Sequence, residues 1–267
     1  MKIDKDFQMF PDSGTAACLK YCQEQKSIWG FLGFVSHMAL SIDKHSKIAA
    51  KALLDTISAH KTEEEAVLER VKYQQTLDTP HPAVLHLIDN EQLFLQTMLS
   101  RAVDNFLAYI SEILYLIFKN KPDMLKSHES VKVETILEFK AIDDLLNSIA
   151  EKKVHELSYQ GIRDLSKYLQ DKFSLTLFEV EADLKKAATV IEFRNLITHN
   201  RAIVNNIFLK KTGLSSVDFE LGSKLSFEQD IFAENLNFLH SSVKEIDARV
   251  ARKFQLPVNE FNKANMR

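Results

Sequence analysis

Glycine and proline are scarce in this chain, and their scarcity is the strongest constraint that the sequence places on the fold. Only six glycines and five prolines occur in 267 residues. An all-β sandwich or barrel needs turn residues at intervals of about 8–12 positions, and collagen-like or Pro/Gly-rich disordered chains need far more of both. Hydrophobic residues make up 45% and charged residues 27% of the chain, as in an ordinary globular protein. The sequence therefore predicts an all-α fold.

Net charge and cysteine content exclude further classes of protein. The formal charge of −3 gives no whole-chain argument for binding nucleic acid or a membrane surface. Two cysteines exclude a disulfide scaffold. Cys18 and Cys22 stand one helical turn apart, but zinc needs about four ligands and no second Cys/His cluster lies nearby. We interpret both as reduced, half-buried thiols and expect neither a metal nor a cofactor.

Residues 28–42, IWGFLGFVSHMALSI, form the most hydrophobic segment. A membrane span needs about 20 apolar residues, so the sequence predicts a buried helix here and no membrane span. The first ten residues also lack the apolar run of a signal peptide. We therefore expect a cytoplasmic protein. Peripheral contact with a membrane through residues 28–42 remains an alternative.

Helix-breaking residues divide the chain into blocks. Pro80 and Pro82, two positions apart, forbid a continuous helix, so we predict an N-terminal helical region, residues 1–80, and a helical domain, residues 81–267. Thr62, followed by three glutamates, has the pattern of a helix start. Residues 214–225 have the composition of a loop. The predicted helices cover residues 15–60, 62–77, 83–119, 133–149, 159–173, 181–211 and 227–254.

One stretch has an unusual distribution of polar residues. At 100° per residue, the polar side chains of residues 190–199 share one helix face, and only Ile191 interrupts it. Glu192, Asn195 and His199 lie along one line of that face. Arg194 lies about 140° around the helix from His199, so a single helix presents the two side by side and not in contact. Two such helices facing each other would bring two arginines and two histidines into one cleft.

The local charge around this stretch is positive in an otherwise acidic chain. Residues 185–211 carry six cationic side chains and one acidic side chain, a formal charge of +5. Such a patch is where a polyanion docks, although a charge run is also typical of an ordinary solvated face whose members pair with acids elsewhere. The cations are Lys185, Lys186, Arg194, Arg201, Lys210 and Lys211.

Histidine and arginine together suit the cleavage of RNA. Histidine titrates near neutral pH, so it can take a proton from the 2′-hydroxyl or give one to the leaving 5′-oxygen. The guanidinium stays charged and binds two phosphate oxygens at once, which stabilises the charge that builds up in the transition state. Because the substrate supplies its own nucleophile, no metal is required.

Residues 194–205, RNLITHNRAIVN, resemble the motif of the HEPN superfamily. The ribonuclease members of these helical domains carry an arginine, a polar residue that is often asparagine, and a histidine four to six residues after the arginine. The match includes the polar residue Asn195 and the continuation after His199. The resemblance covers roughly residues 82–254, and residues 1–80 match no family we can name.

The resemblance implies a HEPN-like helical bundle that forms a homodimer with its motifs facing each other. Active members are metal-independent endoribonucleases that leave 2′,3′-cyclic phosphates, and many act as toxins of toxin–antitoxin pairs or as antiviral defence effectors, which implies an antitoxin or defence-system partner protein. Arg194 and His199 are then catalytic, with Asn195 in support. Asn200 and Arg201, together with Lys185, Lys186, Lys210 and Lys211, are the expected RNA-binding residues.

The helical wheel suggests that Glu192 orients His199. Because the family also contains members that have lost cleavage, the alternative function is a catalytically inactive dimeric scaffold or an RNA-binding interaction module.

Overall fold

The computed structural model describes residues 8–56, 63–126, 131–215 and 219–261, and its fold is all-α, as predicted. Two very short strands and one 3₁₀ turn, Pro122–Leu125, accompany the helices. The helices are α1 (Ala16–Thr56), α2 (Glu63–Asp78), α3 (Pro82–Asp89), α4 (Glu91–Asn120), α5 (Val133–Leu137), α6 (Ile142–Ser158), α7 (Ile162–Phe173), α8 (Glu181–Asn200), α9 (Asn206–Thr212) and α10 (Gln229–Phe254).

Several helix boundaries lie where the sequence predicted them. α1, α2, α7 and α10 each begin within a few residues of their predicted start. Glu63, Glu64 and Glu65 occupy the first turn of α2, where the partial positive charge of the helix N-terminus favours acids. The proposed cap, Thr62, lies outside the described residues.

Two predicted helices are interrupted, so the prediction of continuous helices over residues 83–119 and 133–149 was wrong. At the first break, the Asn90 side chain donates a hydrogen bond to the His86 carbonyl and competes with the backbone ladder, so that α3 ends there and α4 begins one residue later. At the second, Ala141 is extended, and Asp143 and Asp144 open the first turn of α6. Local polar groups outweigh the apolar periodicity at both points.

The chain forms two compact units that do not divide at the predicted position. The first contains residues 8–26 and 95–261, and the second contains the described residues of 27–94. The boundary predicted near residue 80 falls inside the second unit. The reason is that the Asp43 carboxylate of α1 accepts hydrogen bonds from the backbone N–H groups of Ala83 and Val84, at 2.8 and 3.1 Å. The start of α3 is therefore held by α1 across the proline break.

The core of the first unit is built on α4 and α10, which each bury one full face. In α4, fully buried apolar side chains recur every three or four residues, as an amphipathic helix requires. α10 has the same pattern. Large, fully buried side chains of this core include Phe106, Tyr109, Ile113, Leu114, Ile117 and Phe118 from α4, with Phe232, Leu236 and Leu239 from α10.

The two ends of the described chain meet within the first unit. Thr15 donates hydrogen bonds from its backbone N–H and its hydroxyl to the Asp247 carboxylate of α10, at 2.9 and 2.5 Å. The strands β1 (Ser13–Gly14) and β2 (Asn259–Glu260) pair in antiparallel register. A Cβ added at Gly14 would lie 2.9 Å from the Phe261 ring, so any other residue there would have to displace a neighbour. The first turn of α1 is thus tied to α10.

The cysteines are more buried than expected. Cys18 and Cys22 are free thiols, and both are fully buried on the face of α1 that enters the first unit. The hydrogen bond that the Cys18 thiol donates to Cys22, together with burial, raises the pKa of Cys18. Tyr21, which precedes Cys22 in the sequence, packs edge-on against Tyr109, with 5.9 Å between the ring centroids. These thiols act as core side chains.

The second unit buries much less of its apolar surface. Phe31 of α1 packs against Phe94 at 6.2 Å between ring centroids. Within the described residues, neither α2 nor α3 contains a fully buried side chain. Residues 28–42 are helical, but the prediction that they are buried holds for one face only, since Phe31, Phe34 and Met38 are exposed. No helix in the described part of the chain is long and apolar enough to cross a membrane.

Candidate functional site

α8 positions the arginine–histidine motif by burying its opposite side. Val190, Phe193 and Leu196 are buried, whereas Arg194, Asn195 and His199 lie outside the buried face. Phe193 is the centre of an aromatic cluster, with ring centroids 5.3–5.9 Å from the rings of Phe208, Phe219 and Phe227. This cluster fixes the rotation of α8 about its axis and therefore the direction in which the motif faces.

The motif helix ends directly after the histidine, so the single helix predicted over residues 181–211 was wrong. Arg201 and Ala202 both adopt left-handed backbone angles, with φ of 53° and 62°. The N–H of Ala202 donates to the Leu196 carbonyl at 3.0 Å, which is how such C-terminal caps satisfy the last turn. The chain therefore turns away two residues after His199.

The residues that follow the histidine in the motif have structural roles. The Asn200 side chain donates to the Ile203 carbonyl, and Val204, which is buried, exchanges backbone hydrogen bonds with Gly222 and Ser223. The Asn205 side chain accepts the N–H of Phe208 at 2.8 Å and caps α9. This part of the motif shapes the turn between α8 and α9, and it orders part of the loop predicted at residues 214–225.

Arg194 has an acidic partner on another helix. Its Nε donates to Oδ1 of Asp104 in α4 at 2.8 Å, its Nη2 lies 2.7 Å from the same oxygen, and its Nη1 donates to the Asn195 side chain at 3.2 Å. A guanidinium carries five N–H donors, so two stay available for a ligand. The Arg194 side chain is 26% exposed. The predicted pair Arg194 and Asn195 are thus in direct contact.

His199 lies in the last turn of α8 and is exposed to solvent. Among the described residues, no hydrogen bond or ion pair holds its ring. An imidazole in this setting is accessible to a polynucleotide. Its accessibility meets the first requirement of a general acid or base, which must reach the reacting oxygen.

Glu192 has a different partner from the one predicted. Its carboxylate pairs with Lys211 of α9 at 3.0 Å. On the helical wheel Glu192 and His199 lie on the same line of the helix face. They are nevertheless two helical turns apart, which is about 10 Å along the axis. The ion pair with α9 forms instead because α9 folds back beside α8. Glu192 therefore secures the packing of α9.

Fewer cations of the basic patch are available to a ligand than the sequence predicts. Three of its six cations have acidic partners: Arg194 pairs with Asp104, Lys211 with Glu192, and Lys186 with Glu234 of α10. Lys186 also lies over the Phe238 ring, at 5.0 Å from its centroid. Lys185, Arg201 and Lys210 are exposed and have no acidic partner within the described part of the chain. These three are the cations most available to a polyanion.

Asp104 is the site residue that the sequence analysis missed. The apolar stripe of α4 predicts the helix, but it does not indicate a role for the acids on the other face. A weak signal was present, since Asp104 and Asn105 interrupt the apolar run between Val103 and Phe106. Because the residue is 90 positions from Arg194, only the packing of α4 against α8 reveals the pair.

Comparisons with models of known protein families, with curated proteins and with solved structures find no match to this chain. Within the described residues, no group of histidine, cysteine, aspartate and glutamate side chains is arranged to hold a metal ion. The functional assignment therefore rests on the residues of the site and their geometry.

Proposed function

We propose that this chain is a HEPN-like, metal-independent endoribonuclease that acts as a homodimer. The observation that carries the proposal is the contact of Arg194 with Asn195 beside an exposed His199, at the polar face of one helix. The same residues make up the arginine–polar–histidine motif of the family that the sequence resembles.

In the proposed reaction, His199 removes the proton from a ribose 2′-hydroxyl, and the resulting oxygen attacks the adjacent phosphorus. The bond to the 5′-oxygen breaks, and that oxygen takes up a proton. The products are a 2′,3′-cyclic phosphate and a 5′-hydroxyl. The two remaining N–H groups of Arg194 bind the non-bridging oxygens as negative charge builds on them, and Asp104 and Asn195 hold the guanidinium in place.

A second copy completes this site. On one helix Arg194 and His199 lie about 140° apart, so their side chains diverge. The motif of a second chain, facing the first, supplies the groups that one chain cannot direct at the same phosphate. Lys185, Arg201 and Lys210 would bind the flanking phosphates, and a role as a toxin or antiviral-defence effector with a partner protein follows from the family resemblance.

The experiment that tests this function compares His199→Ala and Arg194→Ala with the wild-type chain on total RNA in the presence of EDTA. General acid–base catalysis contributes about 10²–10⁴-fold, so we expect each variant to lose at least 10²-fold in cleavage rate, with unchanged circular dichroism. His86→Ala is the matched control, since His86 is another exposed histidine on a helix. Wild-type cleavage by both motif variants, or none by the wild type, would refute the proposal.

The ion pair of Arg194 with Asp104 supports a second candidate function, a non-catalytic dimeric scaffold or RNA-binding module. In that case Arg194 serves to join α4 and α8 through Asp104. Arg194→Ala then changes the oligomeric mass or RNA affinity, and the wild-type chain binds RNA without cutting it. Light scattering and an RNA-binding titration on the same variants separate the two functions.

A further inference from the structure

The part of α1 in the second unit has apolar side chains on two sides. The buried side consists of Ile28, Ala39, Asp43 and Ala50, which fall within an arc of about 60° at 100° per residue. On a second side, centred about 120° around the helix from the first, large apolar side chains face solvent. A helix with two apolar sides requires packing partners on both, and among the described residues the second side is covered only in part, by the contact of Phe31 with Phe94.

The exposed side is large enough to be an interface. Its apolar side chains are about half exposed: Phe31 48%, Phe34 58%, Met38 40%, Ile42 49% and Ile48 59%. At roughly 200 Å² for each side chain, they leave about 500 Å² of apolar surface in contact with water. The largest patch on a typical monomer is about 300–600 Å², and a stable interface buries about 800 Å² per partner. The exposed area is therefore as large as the largest patch of a typical monomer, and it amounts to more than half of one side of such an interface.

The spacing of the exposed side chains is that of a coiled-coil seam. Alternate steps of three and four residues connect seven positions, which we call the outer stripe. This is the heptad spacing by which two helices interlock. The outer stripe consists of Phe31, Phe34, Met38, Ser41, His45, Ile48 and Ala52.

The two polar positions of the outer stripe lie together in its middle. The Nδ1 atom of His45 is 2.7 Å from the Ser41 carbonyl oxygen and 3.3 Å from its hydroxyl. Polar residues at seam positions determine the register and partner of a coiled coil, because burying one without a hydrogen-bonding partner lowers stability.

We propose that a second copy of this chain covers the outer stripe, with the two α1 helices antiparallel about a two-fold axis near residue 43. In this register Ser41 lies opposite the partner's His45, so polar groups meet polar groups. Met38 then faces the partner's Ile48, and Phe34 faces the partner's Ala52, a large side chain against a small one. The stripe is thus complementary to itself in one orientation.

The flanks of the seam predict how this pairing responds to salt. Ile42 and Ala49 extend the apolar contact on one flank. His37, Lys44 and Lys51, all exposed, line the other, and the two-fold axis brings Lys44 near its own copy. Salt screens that repulsion, so self-association tightens several-fold between about 50 and 500 mM NaCl. Binding to an anionic membrane, the competing use of an apolar stripe flanked by lysines, weakens over the same range.

This inference uses none of the motif residues, because it concerns the second unit and the motif lies in the first, and Phe34→Glu leaves a dimer through the motif intact. The primary test is the mass of the full chain by light scattering and sedimentation. We expect Phe34→Glu to halve the wild-type mass. Leu40→Glu is the matched control, since Leu40 is 57% exposed on the same helix but lies about 200° around it from Met38, and it keeps the wild-type mass. Equal masses for all three proteins overturn the proposal.

A charge-pair experiment tests the antiparallel register. Met38→Glu and Ile48→Lys should each dissociate the pair, and the double variant Met38→Glu/Ile48→Lys should restore it, since each glutamate then faces a lysine of the other copy. A parallel pair would set like charges against each other and stay dissociated, which would overturn the register. A wild-type monomer that sediments with phosphatidylserine vesicles would overturn the choice of a second copy. Circular dichroism confirms that each variant is folded.

Discussion

Two titratable side chains of α10 are buried in the first unit and affect its stability in opposite directions as pH changes. Burial raises the pKa of the Asp247 carboxyl, although its hydrogen bonds with Thr15 and Tyr109 oppose that shift. Burial lowers the pKa of the His240 ring, which stacks on Tyr21 at 6.0 Å between centroids. Neither residue belongs to the candidate site, so their titration reports on folding alone.

The lowered pKa of His240 predicts a loss of stability in mild acid. Below the ordinary histidine pKa of about 6.5 the unfolded chain binds a proton that the folded chain does not, so the free energy of unfolding decreases as pH falls through that value. We expect the melting temperature to drop more steeply from pH 7.5 to 5.5 in the wild type than in His240→Gln. Asp247 is present in both proteins, so its contribution cancels in the comparison.

The control for this prediction is His86→Gln, because His86 is exposed. It should keep the wild-type pH dependence. If the slope of melting temperature against pH is the same for His240→Gln and the wild type, burial of His240 does not contribute to acid sensitivity.

At the scale of elements, the end of α8 determines where the motif faces. Asn205 caps α9, the Glu192–Lys211 pair joins α9 to α8, and the cluster around Phe193 packs beneath both. An exposed ion pair contributes only about 0–1 kcal/mol, so the aromatic cluster is the main source of stability. The left-handed residues Arg201 and Ala202 make the turn possible.

The left-handed angle of Arg201 predicts that glycine is more stable at this position. A non-glycine residue in this conformation costs about 1 kcal/mol relative to glycine, so Arg201→Gly should raise the free energy of unfolding by about that amount in urea denaturation. The same variant removes one of the three available cations of the patch and should weaken RNA binding.

Lys185→Gly is the matched variant, since it also removes an exposed cation but lies within α8. Glycine in a helix interior costs about 1 kcal/mol, so this variant should be destabilised while losing a similar amount of RNA affinity. A loss of stability in Arg201→Gly would contradict the role assigned to the turn.

At the scale of the whole molecule, α1 contributes to both units. Thr15, Cys18, Tyr21 and Cys22 lie in the core of the first unit, which also contains the motif. The remainder of α1 forms the second unit with α2 and α3. Residues 8–26 therefore belong to the first unit, together with the domain that the sequence predicted to begin at residue 81.

A chain that begins at residue 81 should fail to fold cooperatively. It lacks Tyr21 and both cysteines, and it leaves the Asp247 carboxylate without its hydrogen bonds from Thr15. Loss of one buried aromatic side chain alone costs about 3–5 kcal/mol, a large part of the stability of an ordinary domain. Thermal melting followed by circular dichroism checks this, with Tyr21→Ala in the full chain for comparison. A sharp transition at the wild-type temperature in the truncated chain would contradict it.

Local patterns in the sequence determined the all-α class, most of the helices and the polar face with Arg194 and His199, because periodicity, turn residues and capping depend on neighbours along the chain. The same rules failed at Asn90 and Arg201, where a side-chain hydrogen bond or a left-handed residue ends a helix within an apolar pattern. Only the tertiary structure decided that Asp104 holds Arg194, that Glu192 binds Lys211, and that Cys18 and Tyr21 belong to the core of the first unit. These contacts join residues far apart in the chain, and their existence depends on which helix faces pack together.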